Sequence, residues 1–144
     1  MKDFKKIIEA MDKVLPSNSK INDELIKASP LYAVKFNEYV DDWENGGTKR
    51  SLGQDITNFS YYVSDLLRSN KLEDFPKIFE IIEKIIVKNG DELAFINIIY
   101  TNFFETLQNL GRELADKVIP FLGLKSKELW KDVYMRYEGE FDAY

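Results

Sequence analysis

Apolar residues recur three and four positions apart along almost the whole chain, which is the spacing of one helix face, and no convincing two-residue alternation marks a strand. The first predicted helix covers about residues 2–15 through Phe4, Ile7, Ile8, Met11 and Leu15, and Pro16-Ser17-Asn18 ends it. A short helix over about 22–28 takes Asn22 or Asp23 as its cap. Ser29-Pro30 is a start signal, with Ser29 as N-cap and Pro30 at the first helical position. Leu31, Val34, Tyr39, Val40 and Trp43 form the face of that helix, and Gly46-Gly47 stops it ahead of a loop over about 46–53.

The following helix, about 54–69, carries Ile56, Phe59, Val63, Leu66 and Leu67, with Asn70 suited to the left-handed position after its end. Another runs from about 72 to Lys88 with Pro76 in its first turn, and Asn89-Gly90 closes it. Residues 92–110, capped by Asp91, are the most apolar stretch. Leu93, Ile96, Tyr100, Phe103, Leu107 and Leu110 keep heptad spacing, and Ile99 and Phe104 widen the face, which places this helix at the centre. Gly111 ends it, a short helix runs over about 112–119 into Pro120, and Ser126 caps a last one to about Glu138. The pattern predicts an all-α, irregular bundle of about six to seven helices in one domain over residues 1–138, with 139–144 a frayed tail. Stacked helix pairs in the manner of an α-solenoid are the alternative, although no motif repeats at a fixed period.

Composition narrows the chemistry sharply. The 144 residues include no histidine and no cysteine, which removes the imidazole acid/base, the thiolate nucleophile, the Cys/His zinc site and the disulfide. The net charge is -5, and Lys and Arg are interspersed with Asp and Glu, so a broad nucleic-acid surface is not expected. No run approaches a membrane span and the acidic, mixed opening Met1–Lys6 has no apolar core behind it, so no leader and no membrane contact are expected and the cytoplasm is the predicted compartment. No phosphate-binding glycine motif is present, and no cofactor is expected.

Between about residues 75 and 137 four short motifs follow one another: Phe79-Glu80-Ile81-Ile82-Glu83, Lys88-Asn89-Gly90-Asp91-Glu92, Phe104-Glu105-Thr106-Leu107-Gln108-Asn109 and Phe121-Leu122-Gly123-Leu124-Lys125-Ser126. In this order they resemble a family of small, uncharacterised, all-helical bacterial proteins, similar to single-domain proteins that sit beside polymorphic toxin systems and are regarded as immunity proteins. The resemblance implies an all-α fold and a toxin-immunity association; it supplies no active site.

Two constellations remain. Glu80-x-x-Glu83 with Glu113-x-x-Asp116 resembles the four-carboxylate Mg²⁺ signature of all-α nucleotide pyrophosphohydrolases, a site of hard oxygen ligands on facing helices. On a helical wheel, however, Glu80 falls almost opposite the Ile78-Phe79-Ile82-Ile85-Ile86 face and Glu83 at its edge, whereas metal ligands in a bundle point inward. Asp41, Asp42 and Glu44 surround Trp43 in the last helical turn before Gly46-Gly47, where negative charge opposes the helix dipole. These four are the candidate contacts of a protein-binding module with a basic partner. The structural alternative is neutralisation by Lys49 and Arg50 with Trp43 in the core. The other readings are the Mg²⁺-dependent hydrolase and a homo-oligomer built on helix 92–110.

Overall fold

The computed structural model describes residues 14–47 and 49–142, with side chains described as far as Arg136. The helix expected over 2–15 lies outside the described residues apart from Val14 and Leu15, which are not helical. Among the described residues there are seven helices and no strand beyond an isolated bridge between Pro16 and Ser51. They are α1 (Ser19–Ala28), α2 (Tyr32–Asn45), α3 (Leu52–Arg68), α4 (Phe75–Lys88), a central α5, α6 and α7 (Leu124–Asp142). Helix α5 joins Leu93–Ile98, a π-helical stretch Ile99–Glu105 and Thr106–Gln108; α6 is Arg112–Ala115 continued by the 3₁₀ turn Asp116–Phe121. Among the described residues no helix is long and apolar enough to cross a membrane.

Several boundaries follow the signals read from the sequence. Asn70 adopts φ 54° and ends α3, its N–H donating to Leu67 O at 3.1 Å. Pro76 lies in the first turn of α4, and Gly111 takes φ 96° after α5. Others differ. Asn18, not Asn22 or Asp23, caps α1, its Oδ1 accepting from Ile21 N at 3.2 Å. Asn22 is buried instead. Ser29 does not cap α2: its hydroxyl is fully buried and donates to Asp74 Oδ2 at 2.7 Å, so Tyr62 OH at 2.6 Å donates to it. The cap of α3 is Ser51, which forms a reciprocal pair with Gln54 (Gln54 N to Ser51 Oγ 3.2 Å, Ser51 N to Gln54 Oε1 2.9 Å). Glu92, rather than Asp91, precedes α5. Helix α7 starts at Leu124 and continues past Glu138 to Asp142.

The inward face of α2 is also rotated from the expected one. Leu31 and Val34 are exposed, at 74% and 63%, while Tyr32 is buried and Phe36, Tyr39 and Trp43 are half-buried. Aromatic area decides the phase, because each ring buries more apolar surface than Leu31 or Val34 can offer. Tyr32 packs edge-on against Phe59 at 4.8 Å, and rings then continue through the molecule: Phe59 to Phe103 at 5.9 Å, Phe103 to Phe104 at 5.7 Å, Phe104 to Trp130 at 5.3 Å. This file joins α2, α3, α5 and α7.

The π-helical stretch explains how two neighbouring residues, Phe103 and Phe104, both become fully buried. A wider turn spreads side chains over a broader arc than heptad packing allows. Phe103 meets Phe59 and Phe79 on one side and Phe104 meets Trp130 on the other. Asn102, within the same stretch, donates to Gly53 O at 3.2 Å and Thr57 Oγ1 at 2.9 Å. Leu93, expected on the apolar face, is 37% exposed. Contacts of α3 with α5, α1 with α4 and α4 with α7 skip along the chain, so the helices close into a bundle rather than a solenoid, whose repeats touch neighbours only.

Glu83 joins α7 to this bundle. Its carboxylate accepts from the backbone N–H groups of Lys125 (3.1 Å) and Ser126 (2.8 Å) and from the Ser126 hydroxyl (2.8 Å), so the N-terminus of α7 is capped from another helix. Gly123 makes room: a Cβ there would lie 2.5 Å from Glu83 Cδ. Partial burial acts to raise the Glu83 carboxyl, but the hydrogen bonds from Ser126 and Lys125 outweigh it and hold the group below its ordinary value. A carboxylate lowered in the folded state stabilises above the unfolded value, about pH 4.3, and that contribution is lost as pH falls through the folded value. Glu83→Ala should cost about 1–2 kcal/mol at pH 7 and much less near pH 3 in urea titrations. Gly123→Ala should act through the same cap, so the double substitution costs less than the sum of the two; additivity would show that the cap is not shared.

Candidate functional site

The C-terminal end of α2 is held by a polar cluster that the hydrophobic pattern did not reveal. Asp55, in the first turn of α3, is fully buried. Its carboxylate accepts hydrogen bonds from the Ser17 hydroxyl, from Asn22 Nδ2 at 3.0 Å and from Tyr39 OH at 2.7 Å, and Arg50 Nε stands 3.8 Å away. Arg50 also donates to Ser17 Oγ at 3.2 Å, and its guanidinium lies over the Phe36 ring at 5.4 Å and the Tyr39 ring at 6.0 Å. Burial, reinforced by the bond to Asp55, pushes the Tyr39 hydroxyl well above the usual tyrosine range, so it remains a donor. One carboxylate thereby ties the 16–18 turn, α1, α2 and the loop before α3 together. Being closed to solvent, it positions these elements and touches no solute.

The surface above the cluster is open. Trp43 packs edge-on against Tyr39 at 6.3 Å and remains half-buried. With Glu44, Pro16, Ser17, Lys49 and Arg50 it lines a shallow cavity of about 410 Å³. Asp41, Asp42 and Glu44 are exposed, and the last turn of α2 holds no basic residue. Among the described residues none of the three acids forms an ion pair. Of the two neutralising cations considered, Arg50 turns inward to Asp55, while Lys49 is exposed at the cavity wall beside Glu44. The four residues singled out in the sequence are therefore together at one helix end.

The four carboxylates of the hydrolase reading are not brought together. Glu80 is exposed and pairs with Lys84 at 3.0 Å one turn on, Glu83 caps α7, Glu113 is exposed on α6, and Asp116 accepts from Tyr134 OH at 2.8 Å. Among the described residues no group of three or more acidic, histidine or cysteine side chains is placed to hold a metal ion. The physical reason is that Glu83 and Asp116 already hold partners within the fold and Glu80 faces away from the bundle. Among the tyrosines, Tyr62 and Tyr100 are buried, Tyr134 is half-buried and Tyr61 is 60% exposed.

Sequence reasoning missed Asp55, Ser17, Asn22 and Arg50 as a unit. A signal was available: Asp55 occupies an inward position in the run Leu52, Asp55, Ile56, Phe59, Val63, where an unpaired carboxylate would be costly.

A family model described as "Domain of unknown function (DUF7674)" matches residues 22–138, well beyond the 75–137 stretch that carried the resemblance, and takes in Asn22, Tyr39, Arg50 and Asp55. No curated protein and no solved structure matches the chain. With most of its length covered by the family model, the chain belongs to the DUF7674 family of domains of unknown function.

Proposed function

We propose that this protein is a non-enzymatic protein-binding module whose contact surface is the acidic end of α2. The observation that supports it is the arrangement of Asp41, Asp42 and Glu44, exposed and without ion pairs among the described residues, around the half-buried Trp43. Acids at a helix C-terminus cost about 0.3–1 kcal/mol each when exposed, so their placement here does not serve helix stability. An indole packed against Tyr39 beside an open cavity is a suitable anchor, because that packing already limits the side-chain entropy lost on contact. The partner that fits is cationic; the specific form we favour is a bacterial immunity protein, acting in the cytoplasm, that covers a basic toxin domain. The competing homo-oligomer built on the central helix is weaker, since Ile99, Tyr100, Phe103, Phe104 and Leu107 are buried inside one chain.

The test is affinity capture by the wild-type chain and by Asp41→Lys/Asp42→Lys in parallel, followed by titration of each captured protein at about 50 and about 300 mM salt. At least one basic partner should bind the variant about tenfold or more weakly and lose affinity with salt in the wild type only. Equal binding of every captured protein to both forms, with unchanged salt dependence, would refute the surface.

A further inference from the structure

On the other side of the 16–18 turn lies a second concavity of about 460 Å³. Pro16 and Ser17 face the α2 end, whereas Asn18 lines this groove, which runs between α1 and the C-terminal half of α4. Its floor is apolar, made by Ile21, Ile85 and Phe95, each less than 10% exposed, and Val87 adds an apolar rim that is 62% exposed.

Lysines surround the floor. Lys20, Lys84 and Lys88 are all exposed along the groove. Two carboxylates, Glu24 and Glu83, share the lining, with Glu83 directed to the N-terminus of α7. Lys84 is held by Glu80 in an exposed pair, 66% and 63% open, which competes weakly with a new partner. The ammonium of Lys20 sits in the first turn of α1, a turn without any acid, where positive charge opposes the dipole. In a chain with net charge -5, the lining of this trough carries three cations against two carboxylates, an excess of one positive charge over an apolar floor.

We infer that this groove docks an acidic peptide segment of another protein, with a bulky apolar side chain seated on Ile21, Ile85 and Phe95 and flanking carboxylates on Lys20, Lys84 and Lys88. Both halves of the match are needed. The trough holds a side chain such as Phe or Leu, and the three cations select Asp and Glu over Lys and Arg beside it. This surface is opposite in sign to the α2 end, and the proposal does not rest on what that end binds.

The probe is a synthetic peptide of about ten residues, rich in Asp and Glu around one Phe, titrated into the nitrogen-labelled full chain and followed in amide spectra. Saturable shifts should concentrate at Ile21, Val87, Lys88 and Asn89. Lys20→Glu/Lys88→Glu should weaken binding at least about tenfold, as should the same peptide with Gly for Phe, and Val87→Asp serves as a second variant at an exposed position. Shifts mapping elsewhere, no saturation, equal binding by the lysine variant, or the same shifts with inorganic phosphate alone would each overturn the inference.

Discussion

Asp55→Ala should lower the stability of the chain by about 3–5 kcal/mol, the range for removing one member of a buried ion pair. The carboxylate is fully buried, and its loss strands several groups at once. Asn22 Nδ2, Tyr39 OH and the Ser17 hydroxyl lose their acceptor, and Arg50, whose side chain is only 22% exposed, loses its counter-charge. One guanidinium nitrogen of Arg50 and the Asn22 side-chain oxygen are already buried without a hydrogen-bond partner, so the cluster has little spare capacity to rearrange. For a chain of this length the change corresponds to a fall in Tm of about 10–15 °C. Replacing both charges, as in Asp55→Asn/Arg50→Met, should cost less than Asp55→Ala, because no bare charge remains inside. Urea or thermal unfolding decides it. A loss below about 1 kcal/mol for Asp55→Ala would show that the cluster does not hold the 16–18 turn and α2 to α3.

Phe103→Ala should cost a similar amount, about 3–5 kcal/mol, for a different reason. Phe103 is completely buried and touches Phe59, Phe79 and Phe104, with ring centroids at 5.9, 5.9 and 5.7 Å. Truncation removes the transfer free energy of the ring and leaves a void bounded by three aromatic side chains on three helices. Rings fixed from several directions collapse poorly into such a space, which keeps the cost near the upper end. Tyr61→Ala, at a tyrosine 60% exposed, is the matched control and should change stability by less than about 0.5 kcal/mol. Equal effects at the two positions would mean that the aromatic file is not the core. Against a typical total stability of about 5–15 kcal/mol, either Asp55→Ala or Phe103→Ala could leave a large unfolded fraction at 37 °C.

What the sequence disclosed was the class of fold and the punctuation of the chain. Asn70, Pro76, Asn89-Gly90 and Gly111 act locally, through backbone geometry that each residue imposes on its own turn, and so they are legible one at a time. The π-helical stretch was not. The spacing of Leu93, Ile96, Tyr100, Phe103 and Leu107 is consistent with an ordinary heptad, and only three-dimensional demand from Phe59, Phe79 and Trp130 on both sides of α5 widens the turn. The same holds for α2, where the competition between Leu31-Val34 and Tyr32-Phe36-Tyr39 is settled by what α3 presents. Polar residues hid best. Asn22 and Ser29 have the right types for caps, and both serve as buried hydrogen-bonding partners of residues more than thirty positions away. Glu83 read as an edge position of α4 and stands at an edge, but its partner is the start of α7. For the candidate site, the acids and Trp43 were visible as a helix-end anomaly; the anchoring by Asp55 was not, because its four partners come from four separate segments.

Under the proposed function Asp41 and Asp42 serve contact rather than folding, while Asp55 fixes α2 from beneath through Tyr39. Thermal unfolding of purified Asp41→Lys/Asp42→Lys tests this without knowledge of the partner. Removing acids that oppose the helix dipole and adding bases that favour it should leave Tm unchanged or raise it by about 1–5 °C. A fall of about 5 °C or more would contradict the account, since it would mean that the two carboxylates hold the fold together.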